Sequence, residues 1–111
     1  MKKFSDKDGI YKLGESMTEN WKLLDEAKQD AYFFHLSSFP SGYVILETKT
    51  PTPTLEILRK AALLCKNGTK YRYLKDIKVD YCLCNNVTKS DKVGEVIFIS
   101  NRKVKQLKDL T

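Results

Sequence analysis

Apolar and polar positions alternate along the chain with two different periods, and each change of period marks an element. Ile10, Tyr11 and Leu13 sit between Gly9 and Gly14 and predict a short strand. Ser16-Met-Thr-Glu19 follows, a serine three residues ahead of a glutamate, which is the pattern of a helix capping box. The helix expected over 17–28 carries Met17, Asn20, Leu23, Leu24 and Ala27 on one stripe, with Asn20 its polar member. At 31–37 the period becomes two: Tyr32, Phe34 and Leu36 on one face, Ala31, Phe33, His35 and Ser37 on the other. Both faces begin apolar, so this strand is expected at the centre of a sheet. Ser37-Ser-Phe-Pro-Ser-Gly42 turns the chain through Pro40 and Gly42, and residues 43–48 return as the second strand of an antiparallel hairpin.

Pro51 and Pro53 interrupt the strand pattern. A second helix is expected over 53–66, with Thr52 as its cap, Pro53 in its first turn and Asn67-Gly68 as its stop. Ile57, Leu58, Ala61, Ala62, Leu64 and Cys65 give it a broad buried face on which the alanines permit close approach to a sheet. Ile77, Val79, Tyr81 and Leu83 alternate as a strand over 77–84, and residues 95–100 form a last strand that Val104 and Leu107 extend after a turn. The pattern predicts a single α+β domain over 1–111: a mainly antiparallel sheet with two helices packed on one face.

Length and composition narrow the class. A chain of 111 residues suits one core. No apolar run approaches the length of a membrane span, and the basic start has no apolar segment behind it, so a cytoplasmic protein is expected. Three cysteines, an odd number, are expected as reduced thiols. The net charge of +6 is unevenly spread. Residues 1–57 carry 7 Lys/Arg against 9 Asp/Glu, a balance of −2, and residues 58–111 carry 13 against 5, a balance of +8. That asymmetry points to a polyanion, nucleic acid ahead of membrane. It equally suits a subunit that docks an acidic protein partner through its basic face, and a lysine-rich solvated surface needs no partner at all.

Candidate chemistry is sparse. His35 is the only histidine, which excludes any two-histidine metal or acid–base scheme. Ser37, Ser38, Ser41 and Asp30 are near it in sequence, yet no nucleophile elbow is present, and serines in a turn are ordinarily turn residues. Non-enzymatic function is the expectation, with His35 supporting a binding surface. Cys82 and Cys84 point to one face of a strand and with Cys65 and His35 make a Cys3His set on paper. Their spacing is not that of a zinc knuckle or ribbon, so buried apolar thiols are expected, without metal or cofactor. No phosphate-binding glycine loop occurs. The basic stretch from Lys66 to Lys75 is more informative, because Lys70, Arg72 and Lys75 alternate with Tyr71 and Tyr73. Cations pair with phosphates and tyrosine rings stack on unpaired bases. Lys89 and Lys92 form a second cluster, and Arg102, Lys103, Lys105 and Lys108 a third.

The order of these pieces resembles the NFACT-R domain, the RNA-binding domain of NFACT proteins of ribosome quality control. The resemblance runs from Gly14 to about Ile97. It rests on Gly14 to Leu24 with Asn20, Asp30-Ala-Tyr-Phe-Phe-His35, Ser41-Gly42-Tyr43-Val44-Ile45-Leu46, and Pro53 through Ala61-Ala62. It ends on Val79-Asp80-Tyr81, Val87-Thr88-Lys89 and Gly94-Glu95-Val96. Glu15 stands where the family usually has arginine, and Tyr43 where it usually has histidine. The resemblance implies a small stand-alone version that binds RNA without catalysis, the RNA being tRNA or ribosomal RNA in translation. On that reading Asp30, His35 and Ser41 shape the site, and Gly42 lets the backbone approach a phosphate. Lys70, Arg72, Lys89 and Lys92 supply charge, and Tyr71 stacks on a base. Asn20 holds a buried hydrogen-bond network or touches the ligand, the former being the commoner role of such a residue.

Overall fold

The computed structural model describes residues 1–108. Eight strands and two helices alternate along them: β1 (Lys2–Ser5), β2 (Gly9–Leu13), α1 (Met17–Glu26), β3 (Tyr32–Leu36), β4 (Val44–Thr48), α2 (Leu55–Asn67), β5 (Val79–Leu83), β6 (Val87–Lys89), β7 (Val96–Phe98) and β8 (Lys105–Leu107). Six strands form one antiparallel sheet in the order β1-β2-β4-β3-β5-β8, and β6 and β7 form a separate ribbon. The fold is α+β. No described helix is long and apolar enough to cross a membrane.

The period-two pattern of β3 explains its place. Phe33 and Phe34 are both fully buried on opposite faces, and hydrogen bonds to β4 and β5 satisfy both edges. On the first face, Tyr11, Leu13, Phe34, Leu36, Val44, Leu46 and Val79 meet α2 through Ile57, Leu58, Ala61, Ala62 and Cys65. The other face presents Phe33, Tyr43, Ile45 and Cys82 to Leu23 of α1, with Phe98 and Val96 of the ribbon packed alongside. The two helices therefore divide between the faces instead of sharing one. Helical periodicity says which side of a helix is buried but not which sheet face receives it.

Capping also differs in detail from expectation. Ser16 caps α1 by accepting from the Glu19 N–H, but Glu19 Oε1 reaches back to the N–H of Glu15 instead of Ser16. Thr54, not Thr52, caps α2, so Pro53 lies just outside the helix; Gly68 ends it as expected. Met17 is exposed and belongs to no buried stripe. Val104 and Leu107 do not extend β7. The buried Asn86 amide donates to the Ser100 carbonyl and its carbonyl accepts from the Ser100 N–H, turning the chain there. A turn over Asn101–Lys103 then delivers β8 to the free edge of β5.

Candidate nucleic-acid interface

The β3–β4 connector organises the site. Ser41 Oγ accepts from the Leu36 N–H at 3.1 Å and donates to the Gly42 carbonyl at 2.9 Å, which closes the connector on itself. The Asn20 Oδ1 on α1 accepts from the Tyr43 N–H at 3.0 Å, and Gly14 donates to the Tyr43 carbonyl at 3.0 Å. Asn20 is therefore the buried tie between α1 and the start of β4. Gly42 is accounted for within the chain: a Cβ there would stand 2.0 Å from the Gly14 carbonyl oxygen. Its missing side chain makes room for the Gly14 carbonyl.

A second set of bonds holds the ribbon beside the connector. The Tyr43 hydroxyl donates to the Gly94 carbonyl, and Trp21 Nε1 donates to the Glu95 carbonyl at 3.0 Å. Gly94 has φ of 85°, and a Cβ there would lie 2.6 Å from Met17 Cβ. Only glycine fits both the left-handed backbone and the contact. Between α1, the connector and this ribbon loop opens a cleft of about 820 Å³, lined by His35, Asp80, Lys92 and Glu95 among polar residues and by Phe39, Tyr43 and Phe98 among aromatic ones. A shallower depression of about 350 Å³ continues past Asn20 and Ser41 to Gly42, Lys70 and Tyr71.

His35 lies on the wall of that cleft. Its Nδ1 is 2.7 Å from the Leu36 carbonyl oxygen, which can only accept, so Nδ1 carries the proton. Burial is the largest influence on the ring and lowers its pKa below 6.5; the Leu36 bond and the Asp80 charge work the other way. Neutral imidazole with Nδ1–H leaves Nε2 as an acceptor, and it has no hydrogen-bond partner among the described residues. Phe33 stacks parallel to the ring at 6.5 Å between centroids, and Tyr43 meets it edge-on at 5.6 Å. Asp80 is the cross-strand neighbour of His35, and Asp80 Oδ1 accepts from Gln106 Nε2 at 2.9 Å.

Cations lie along the segment from Lys70 to Lys78. Tyr71 packs on Phe39 of the connector with 4.6 Å between centroids, and the Lys78 carbonyl accepts from the Ser37 N–H at 2.9 Å. The basic segment is thus fastened at both ends to the connector. Lys70, Arg72, Lys75 and Lys78 make no ion pair among the described residues, and neither does Lys92 on the ribbon side. Arg72 stacks over Tyr73 at 4.8 Å, and Tyr73 is 82% exposed. Tyr71 is half-buried on Phe39 with Lys70 over its ring, so Tyr73 is the open aromatic face.

Seven of the sequence-derived residues, Asn20, His35, Ser41, Gly42, Lys70, Tyr71 and Lys92, line the cleft and its extension. Arg72 borders them, its guanidinium held by the Thr69 carbonyl at 3.1 Å. Asp30 and Lys89 are elsewhere. Asp30 precedes β3 while His35 lies near its end, about 17 Å away at strand rise. Lys89 is ion-paired with Asp25 at 2.7 Å and sits over Trp21. The third basic cluster is also apart: Arg102, Lys103 and Lys105 line a groove with Tyr32 and Pro53, and Lys108 lies beyond Asp80. Neither Asp80 nor Glu95 is marked as a cleft residue by the sequence, because the register of β3 on β5 brings Asp80 to His35 and the packing of the ribbon loop on Trp21 and Tyr43 brings Glu95 to the cleft. Cys65 lies on the buried face of α2 while Cys82 and Cys84 pack on the other side of the sheet; all three are buried and free, and no metal-ligand cluster forms among the described residues.

No family model matches the chain, and no curated protein matches it. Among solved structures it is similar to the C-terminal part of the fibronectin/fibrinogen-binding protein from Streptococcus suis, with a TM-score of 0.79 and 25% sequence identity over 89% of this chain. The match spans 39% of that protein's chain.

Proposed function

We propose that the protein is a non-catalytic, cytoplasmic RNA-binding module of the NFACT-R kind, taking single-stranded parts of tRNA or ribosomal RNA along the β3–β4 connector. The observation that carries this reading is the basic segment fastened to the connector at Tyr71 and Lys78, with Lys70 lining the extension of the cleft and Lys92 the cleft itself, neither ion-paired among the described residues. Unpaired cations retain full attraction for phosphate, whereas Lys12, Lys60 and Lys89 spend theirs on carboxylates of the chain. The exposed Tyr73 ring beside Arg72 offers a base a stacking face. Single strands bring bases and phosphates to such a surface together, which a duplex does not.

Fluorescence anisotropy with a short single-stranded RNA over a salt series tests it. Five free cations imply that log K falls against log salt with a slope of about −2 to −4. Lys70→Glu with Arg72→Glu flattens that slope. Absence of binding at low salt, or binding indifferent to salt, removes the proposal.

The second reading is a docking subunit for an acidic protein, which the same free cations suit and toward which the structural neighbour's protein ligands lean. Capture from nuclease-treated lysate separates the two, because partners bridged by RNA disappear.

A further inference from the structure

The cleft and its rim differ in sign. Lys92 lines the cleft and Lys70 its extension, with Arg72 next in the chain, but the wall at His35 carries acceptors: His35 Nε2 and Oδ2 of its cross-strand neighbour Asp80, with the exposed Glu95 on the ribbon side. Neither Nε2 nor Oδ2 receives a hydrogen bond from a described residue. A phosphate fits the rim and is repelled by that wall. A hydrogen-bond donor fits the wall, and Phe39, Tyr43 and Phe98 give a flat ring apolar surroundings.

We propose, resting on the RNA reading above, that this cleft receives one unpaired base by its donor edge, with guanine preferred and uracil disfavoured. Guanine offers two adjacent donors, N1–H and the 2-amino group, on its Watson–Crick edge, which matches a carboxylate oxygen beside a neutral imidazole nitrogen. Adenine and cytosine offer one amino group next to an acceptor. Uracil sets its single N–H between two carbonyl oxygens, both of which face acceptors here. The rim lysines hold the flanking phosphates and add no preference among bases.

The charge on the imidazole gives the idea a second handle. The groups around it are Tyr43 just before β4, Asp80 on β5, Lys92 and Glu95 from the ribbon loop, and Lys108 beyond Asp80 on the β8 side; α1 contributes only uncharged residues to the cleft. Protonation of Nε2 turns an acceptor into a donor. A ring that served as a phosphate contact strengthens binding of every RNA on acidification. A ring that reads a donor edge loses its preference.

Uridine octamers with one central position changed to G, A or C test this by anisotropy over a descending pH series, with wild type, His35→Phe and Asp80→Asn. The guanine octamer is expected to bind about tenfold more tightly than the all-uridine one, with A and C between them. The preference shrinks to within about twofold in Asp80→Asn and in His35→Phe, and in wild type it is lost as pH falls through the ring's lowered pKa. Asp80 is a partly exposed polar residue, so its variant reports even if His35→Phe does not fold. Equal affinities with a preserved salt slope overturn the base-edge inference and leave the RNA reading intact, as does a preference for uridine. No binding of any octamer overturns both.

Discussion

Replacing Asn20 by alanine removes the only acceptor that the Tyr43 N–H has among the described residues. Asn20 is 5% exposed and Tyr43 1%, so the orphaned donor stays inside the fold. Leaving a buried donor unpaired costs about 1–3 kcal/mol. The depression past Asn20 admits some water, which places the value near the middle, at about 2 kcal/mol. For 111 residues the entropy of unfolding converts each kcal/mol into about 4 °C of melting temperature. A loss of about 8 °C is therefore expected in thermal denaturation followed by circular dichroism. Amide hydrogen exchange supplies the specific readout: the Tyr43 N–H loses protection out of proportion to its neighbours Ile45 and Leu46. A melting temperature within about 2 °C of wild type, with Tyr43 protection unchanged, refutes the claim that this bond ties α1 to the hairpin.

Three further outcomes follow from the same geometry. Gly94→Ala forces a side chain into φ of 85° and against Met17, so it is expected to cost about 1–3 kcal/mol in urea denaturation; a neutral result contradicts the packing of the ribbon loop on α1. Burial pushes the Cys65 and Cys84 thiols up to about 12 and raises Cys82 as well, so iodoacetamide is expected to leave all three unlabelled in the folded protein and to modify them in denaturant. His35 is held neutral by burial, so the unfolded chain takes the proton more readily. Its contribution to stability is complete above the unfolded value of about 6.5 and is lost as pH falls through the lower folded value. His35→Phe is expected to flatten the stability profile over that window; an unchanged profile assigns the slope to other groups.

How much of this was legible in the residues depends on the range of the force involved. Local signals were read well: Ser16 as a cap, Gly68 as a stop, the hairpin around Pro40, and β3 as a central strand from its two apolar faces. β1 left no signal, because Lys2–Ser5 are all exposed and pair with β2 through backbone alone. Lysines on such an edge discourage further strands from adding. The division of the helices between the faces depends on chain direction at each sheet crossing, to which no single element testifies. The site shows the same split. His35, Asn20 and Ser41 could be found on their own elements, while Asp80 reaches His35 through the register of β3 on β5, and Lys89 was drawn to Asp25 by the fold of α1 against the ribbon. The sequence marks Gly42 as a point of close backbone approach, and only the fold shows that the Gly14 carbonyl is packed against it.

The most direct test of the central claim is a titration of isotope-labelled protein with a single-stranded RNA octamer, followed by amide chemical shifts. The largest changes are expected at Ser41, Lys70, Tyr71, Arg72, Tyr73 and Lys92, with His35 and Asp80 moving in the same range of RNA concentration. Shifts confined to the groove of Arg102, Lys103 and Lys105, or to the exposed face of β1, contradict it.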